Sequence, residues 1–185
     1  PVGEDQRQHL ELTRDLAARF NSRYGEAFVV PEPYILPSVG SIADLAEPGT
    51  KMSKSLSSPT GIIELLDDPA INVRKIKSAV TDSGREIIFD EVDKPGVSNL
   101  LTILSALTDT PVDSLVEEFA GRGYGDLKNA VADAVTTFAT PYRNRTLELM
   151  EERGELESIL AKGADRAREV ASATLADVYA KVGLA

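Results

Sequence analysis

Two lysines three positions apart, interleaved with a methionine and serines, make Lys51-Met52-Ser53-Lys54-Ser55 the stretch of this sequence best equipped for chemistry. Ammonium groups neutralise the oxygens of a polyphosphate, and hydroxyls and backbone amides add further donors. Such a clamp suits phosphoryl or nucleotidyl transfer, where charge develops on a leaving pyrophosphate and a loop that closes late helps to stabilise it. An arbitrary pair of lysines at this spacing is more often a solvated loop. The complete five-residue string shifts the balance toward a phosphate site.

The composition narrows what else the chain does. Its 185 residues carry 30 acidic and 20 basic side chains, a net charge of −10, which speaks against a generic nucleic-acid binder with a basic surface. The surplus is uneven: residues 1–60 hold 8 acids and 6 bases, 61–140 hold 14 and 7, and 141–185 hold 8 and 7. The middle block therefore carries most of the negative charge. The absence of cysteine excludes disulfides, thiolate metal sites and a cysteine nucleophile. A single histidine, His9, leaves little scope for zinc binding or histidine acid–base chemistry, so no metal ligands are assigned. Length and apolar content suffice for one domain or two small ones. No apolar run approaches the roughly 18 residues of a membrane helix, and a soluble, cytoplasmic protein without a membrane partner is expected.

The elements that position the lysine loop follow from periodicity. Leu12, Leu16, Phe20 and Tyr24 recur every four residues and predict a helix from Gln6 to Tyr24, closed by Gly25. Ala27–Val30, Tyr34–Leu36 and Ser41–Leu45 read as short extended segments. Glu47 to Thr60, with two prolines, one glycine and four serines, is a loop by composition. Beyond it the pattern turns helical. Ile62, Ile63, Leu65 and Leu66 predict a short helix halted by Asp67-Asp68-Pro69, and Ile71, Ile76 and Val80 predict a second. Ile87-Ile88-Phe89 favours a brief extended piece, and Leu100, Leu101, Leu104 and Leu107 define a helix. Thr110-Pro111-Val112-Asp113 reads as a threonine cap, a first-position proline and an acid, starting a helix that stops at Gly121. A long helix is expected over about Asp126 to Arg153, kinked at Pro141 and broken at Gly154, and a last one over Ala164 to Val182. The natural boundary falls near residue 60, between a short βα piece (1–60) and an all-helical body (61–185). Pro1-Val2-Gly3-Glu4-Asp5 reads as a strand end feeding a helix, so a preceding segment is expected.

KMSKS is the signature loop of class I aminoacyl-tRNA synthetases, and other stretches narrow the likeness. The opening PVGEDQ with RQHLELTRDLAARFN, then KIKSAVTDS (Lys75 to Ser83), KPGVSNLL (Lys94 to Leu101), GYGDLK (Gly123 to Lys128) and the closing REVAS…VGL resemble the bacterial tryptophanyl-tRNA synthetase family. The resemblance spans essentially the whole chain. It implies a mainly α fold, with the C-terminal remnant of a Rossmann-like α/β catalytic domain (1–60) followed by an all-helical anticodon-binding domain (61–185). It implies ATP-dependent activation of L-tryptophan and transfer to tRNA(Trp), with Mg²⁺ on the phosphates and a homodimer in the intact enzyme.

Position by position, Gly3, Glu4 and Asp5 match the family's run at the ATP site. There the glycine leaves room for the nucleotide, and the acids accept hydrogen bonds from ribose hydroxyls. Ile42 matches a position at the adenine region, Lys51, Met52, Ser53, Lys54 and Ser55 the loop on the ATP phosphates, and Gln6 a residue near the substrate amino acid. Lys51 and Lys54 are the implied catalytic residues, acting electrostatically. Taken alone, Gly3-Glu4-Asp5 is a helix start with capping acids, and His9 packs or faces solvent. Two departures stand out. The family's His-x-Gly-His or His-x-Gly-Asn motif has no match here, nor have the residues that read the indole. Moreover, Leu56-Ser57-Ser58-Pro59 follows the loop where an acid and a proline often stand. Arg74, Lys75 and Lys77, and Arg143 and Arg145, are candidates for tRNA phosphates or else solvated helix faces paired with nearby acids. With its acid surplus in the middle block, the chain fits a selective tRNA binder. The alternative is a catalytically inert helical binding or scaffold module that retains the loop.

Overall fold

The structure is a computed structural model that describes residues 1–35 and 42–184. It is mainly helical: α1 (Arg7–Tyr24) follows a 3-10 turn at Glu4–Gln6, then come α2 (Pro69–Lys77), α3 (Pro95–Thr108), α4 (Val112–Glu118), α5 (Tyr124–Glu151) and α6 (Arg153–Val182). Among the described residues extended pairing is confined to one isolated antiparallel bridge, Ala43 with Lys51. No helix among them is long and apolar enough to cross a membrane. Compactness divides the chain into two units, Pro1–Ile35 with Glu148–Ala185, and Leu36–Leu147.

The second unit is built around α3. This helix is apolar nearly all round, and nine of its 14 residues are buried, including Val97, Leu100, Leu101 and Leu104. Ile76 from α2, Leu115 and Phe119 from the α4 region, and Leu127, Val131 and Val135 from α5 complete one cluster. Fully burying side chains of this size contributes about 1.5–3 kcal/mol each. Asp68 caps α2, its carboxylate accepting the Ala70 amide at 2.8 Å. Asp109 ends α3 in the left-handed region, φ 53°.

In the first unit, Gly25 ends α1 with φ +90°, where a side chain would be strained. Phe20 stands 5.0 Å from both the Tyr24 and the Phe28 ring. Arg14 hydrogen-bonds the Pro31 carbonyl and pairs with Glu32 at 2.6 Å. On α6 Ala167, Ala171 and Leu175 of the predicted stripe are exposed, and Val178 and Val182 are half-buried.

The differences from the sequence reading have identifiable causes. Ala27–Val30 is no ladder strand, because the Asn21 side chain takes the amides of Ala27 and Phe28 and the carbonyl of Phe28. Ile87–Phe89 also lacks a partner strand: Tyr124 donates to the Glu86 carbonyl and Ser98 accepts the Asp90 amide, so side chains serve this backbone. Tyr34 and Ile35 are non-helical, whereas Leu36 and Ser41 lie outside the described residues. Residues 62–66 form no helix. The carbonyls of Ile62 and Glu64 go to Lys75 Nζ (3.0 Å) and Asn72 Nδ2 (2.8 Å) instead of to amides four residues on. Pro111, not Thr110, occupies the cap position of α4, and no side-chain cap bond forms. The break before the last helix falls at Glu152 (ψ 66°), and Gly154 lies inside the first turn of α6, which starts eleven residues earlier than its apolar stripe indicates. Finally, α5 runs through Pro141 without interruption.

Candidate nucleotide-binding loop

The lysine loop grows out of the bridge. The Asp44 amide donates to the Thr50 carbonyl and the Met52 amide to the Ile42 carbonyl, both at 2.9 Å, while Thr50 N–H closes the intervening turn on Glu47 at 2.8 Å. Beyond the bridge the chain folds into a second turn. Ser53 donates its amide to Ser57 Oγ (2.8 Å), and the Ser57 amide returns to the Ser53 carbonyl (2.9 Å). Met52 packs against the helical core, whereas Lys51 and Lys54 are exposed. The methionine is thus the anchor between two exposed lysines. Lys51, Ser53, Leu56, Ser57 and Thr50 line a hollow of about 530 Å³ whose floor includes Asp44, within the size range of small-ligand sites.

Asp44 is the hub of this scaffold. It is 3 % exposed and accepts the amides of Ala46 (2.7 Å) and Glu47 (3.0 Å). Burial alone raises its carboxyl pKa, but the hydrogen bonds from the Ser57 hydroxyl and those two amides outweigh it and hold the group below the ordinary aspartate value. Gly61 lies directly over it: a Cβ there would come within 2.1 Å of Asp44 Oδ1. On the far side of Ala43 stands Asn99 of α3, 7 % exposed. Its Oδ1 accepts the Ala43 amide and its Nδ2 donates to the Ala43 carbonyl, each at 2.8 Å.

The remaining expected site residues are distributed as follows. Ile42, Lys51 and Met52 are brought together by the bridge, with Ser53, Lys54 and Ser55 on the adjoining turn. Gly3, Glu4, Asp5 and Gln6 belong to the first unit. Glu4 pairs with Arg7 at 2.5 Å, and this hydrogen bond lowers its pKa. The pair is exposed and solvent-screened. Gln6 reaches Asp5 at 3.1 Å and its amide donates to the Gly3 carbonyl, an arrangement that starts α1. His9 is exposed. Of the basic helix residues, Lys75 is committed to Asp67 at 2.7 Å and to the Ile62 carbonyl, whereas Arg74 and Lys77 remain exposed. Arg143 donates to the Leu66 carbonyl at 3.3 Å. No group of three or more His, Asp or Glu side chains among the described residues is placed to hold a metal ion. The loop's own donors are ammonium and hydroxyl groups, so these residues do not make a Mg²⁺ site.

Three of the stretches noted above meet in one place. Asp82 from AVTDS accepts the Tyr124 hydroxyl of GYGDLK at 2.8 Å, Lys94 of KPGVSNLL at 3.2 Å and the Gly84 amide at 2.6 Å, and Lys94 also reaches Tyr124 Oη at 2.9 Å. Burial raises the Asp82 pKa, yet the bonds from Tyr124, Gly84 and Lys94 bring it below 3.8. Lys94 is raised, first by its bond to Tyr124. A carboxylate with a depressed pKa stabilises the fold above its unfolded pKa, and that contribution is lost as the pH falls through the folded value. Tyr124→Phe is therefore expected to cost, near pH 7, the lower end of about 1.5–3 kcal/mol, the range for a hydrogen bond to a charged group. The cost should shrink as the pH falls below 3.8 toward the lower folded value of Asp82. Urea unfolding of both proteins at pH 7 and pH 3 checks this. An equal gap at the two pH values would contradict it.

A pinned lysine loop leading into a helical body is an arrangement that matches a known class. The sequence model described as "tRNA synthetases class I (W and Y)" covers residues 1–140. A tryptophan–tRNA ligase of Corynebacterium glutamicum is 59% identical over 183 residues, which is 99% of this chain and 53% of that protein. The crystal structure of tryptophanyl-tRNA synthetase from Mycoplasma pneumoniae superimposes with a TM-score of 0.86 at 36% identity, over 100% of this chain and 57% of that one. The Campylobacter jejuni enzyme, solved in complex with ADP and tryptophan, gives a TM-score of 0.66 at 31% identity over 100% of this chain and 56% of its own. The chain belongs to the tryptophanyl-tRNA synthetase family within the class I synthetases. It spans about half the length of the relatives it matches.

Proposed function

We propose that this chain supplies the phosphate-clamping loop and the helical body of a tryptophan–tRNA ligase. The observation that carries the reading is the pinned KMSKS loop, with Met52 packed against the core and both lysines exposed, in a chain so similar to a protein named for that activity. In the complete protein the tryptophan carboxylate attacks the α-phosphorus of ATP. The bond between the α- and β-phosphates breaks, giving tryptophanyl-adenylate and pyrophosphate. The aminoacyl group then passes to tRNA(Trp). Lys51 and Lys54 stabilise the negative charge that accumulates on the leaving pyrophosphate, serving neither as base nor as nucleophile. Loop amides and the hydroxyls of Ser53 and Ser55 add donors.

Glu4 and Asp5 accept ribose hydroxyls beside Gly3, Ile42 packs at the adenine, and Gln6 lies near the amino acid. Residues 1–60 then end the nucleotide-binding domain, and 61–185 form the anticodon-side domain. Exposed Arg74 and Lys77 are the basic residues of α2 open to tRNA phosphates. The working form is a cytoplasmic homodimer, and Mg²⁺ would enter with the phosphates, supplying part of their charge neutralisation without ligands from this loop.

The experiment compares tryptophan-dependent ATP–pyrophosphate exchange by these 185 residues alone and by the same residues joined to the N-terminal half of a relative. Negligible exchange in the first and robust exchange in the second are expected. A folded, joined protein without exchange would overturn the proposal in favour of an inert helical module that retains the loop.

A further inference from the structure

Ala43 and Lys51 form the pair of the antiparallel bridge whose hydrogen bonds come from their neighbours: Asp44 N–H to Thr50, and Met52 N–H to Ile42. In such a pair the backbone groups of Ala43 itself point away from Lys51, as they do at the open edge of a sheet. A further strand would ordinarily satisfy them. Here the side-chain amide of Asn99 does so, offering one acceptor and one donor to the amide and carbonyl of a single residue. Because Asn99 sits on the most buried helix of the molecule, Ala43 is held to the rigid core on one side and to Lys51 on the other. Leu45 extends the same attachment, its carbonyl accepting the Val80 amide at 2.8 Å and its own amide bonding Gly61 at 2.9 Å.

We propose that Asn99 is a positioning residue for pyrophosphate-forming chemistry, fixing the root of the lysine loop so that Lys51 meets the phosphates at a set place. The inference rests on the nucleotide reading of the loop given above. Asn99 bonds the backbone of Ala43, and its influence reaches Lys51 through those two hydrogen bonds and one bridge. The amide is the side chain suited to this task. A carboxylate in its place accepts the Ala43 amide equally well but opposes the Ala43 carbonyl, acceptor against acceptor. Displacing a catalytic charge by about an ångström costs up to roughly a hundredfold in rate.

The test is a double-mutant cycle in the complete enzyme, read as ATP–pyrophosphate exchange, with kcat and the KM values for ATP and tryptophan measured separately. Asn99→Asp is expected to lower kcat roughly tenfold or more, with the tryptophan KM unchanged. On a Lys51→Ala background the same substitution should change kcat by less than about twofold, because the charge it positions is gone. Leu104→Ala, a cavity in the same helix, controls for simple destabilisation and should act alike in both backgrounds. Asn99→Ser carries the cycle if the aspartate variant fails to fold. The hollow of about 100 Å³ beside Asn99, lined by Pro48, Pro95, Ser98 and Thr102, leaves space for water next to the shorter side chain. Equal losses with and without Lys51 would overturn the role of Asn99 while leaving the loop's function standing. If Lys51→Ala alone leaves exchange unchanged, the nucleotide reading fails and this proposal falls with it.

Discussion

Replacing Lys54 with alanine in the complete enzyme is expected to slow tryptophan activation by about 10²–10³-fold, the loss typical of removing one donor aimed at developing charge. Tryptophan affinity should change little. The structure separates the two effects. Lys54 is exposed on the turn that follows Ser53, and the bonds that build this turn run among backbone groups and the Ser53, Ser55 and Ser57 side chains. Truncating Lys54 therefore removes a charge without dismantling the loop. The measurement is single-turnover adenylate formation alongside equilibrium binding of tryptophan. Equal losses in rate and binding would mean that the lysine is mainly structural.

Gly96→Ala has the largest expected effect on stability. An added Cβ would lie 2.1 Å from the Val80 carbonyl oxygen and 3.3 Å from Thr81 Cα. Both belong to backbone, and Val80 is itself tied to Leu45. No rotamer change relieves such a contact, so α3 or the 79–81 segment must move. Overpacking of this kind costs about 1–3 kcal/mol, and here the upper end or more. For a protein of this size that corresponds to a fall of roughly 6–12 °C in Tm. Gly154→Ala is the matched control: nothing lies within 4 Å of its Cβ, and alanine is the better helix former. Thermal melts of the two variants should diverge. A Gly96→Ala protein that melts with the parent would refute the close packing of α3 on Val80.

The helices were largely legible because their apolar residues recur on one face. α1 ends at Gly25 as its sequence indicates, and the leucines of α3 are those that form the core. Legibility failed where side chains of distant residues replaced backbone partners. Nothing in Ile62–Leu66 reveals that Lys75 and Asn72 take its carbonyls, and nothing in Ala27–Val30 reveals that Asn21 occupies its amides. The loop string announced itself through its lysines and serines. Its supports did not, since Asn99 lies 56 residues from Ala43 and Asp44 is an ordinary aspartate until its three donors are placed around it. The cluster of Asp82, Lys94 and Tyr124 had a partial signal, because each lies in a stretch that resembles the family. What the stretches could not show is that they converge. For Lys75 the fold selects the alternative of a helix-face base paired with a nearby acid, and it is the fold that brings Asp67 to its ammonium group.

Tryptophan activation is the function proposed for this chain. Its most direct test is ATP–pyrophosphate exchange by the complete enzyme, run with tryptophan and with tyrosine as the only amino acid. Exchange should depend on tryptophan and be negligible with tyrosine. Exchange that follows tyrosine and ignores tryptophan would contradict it.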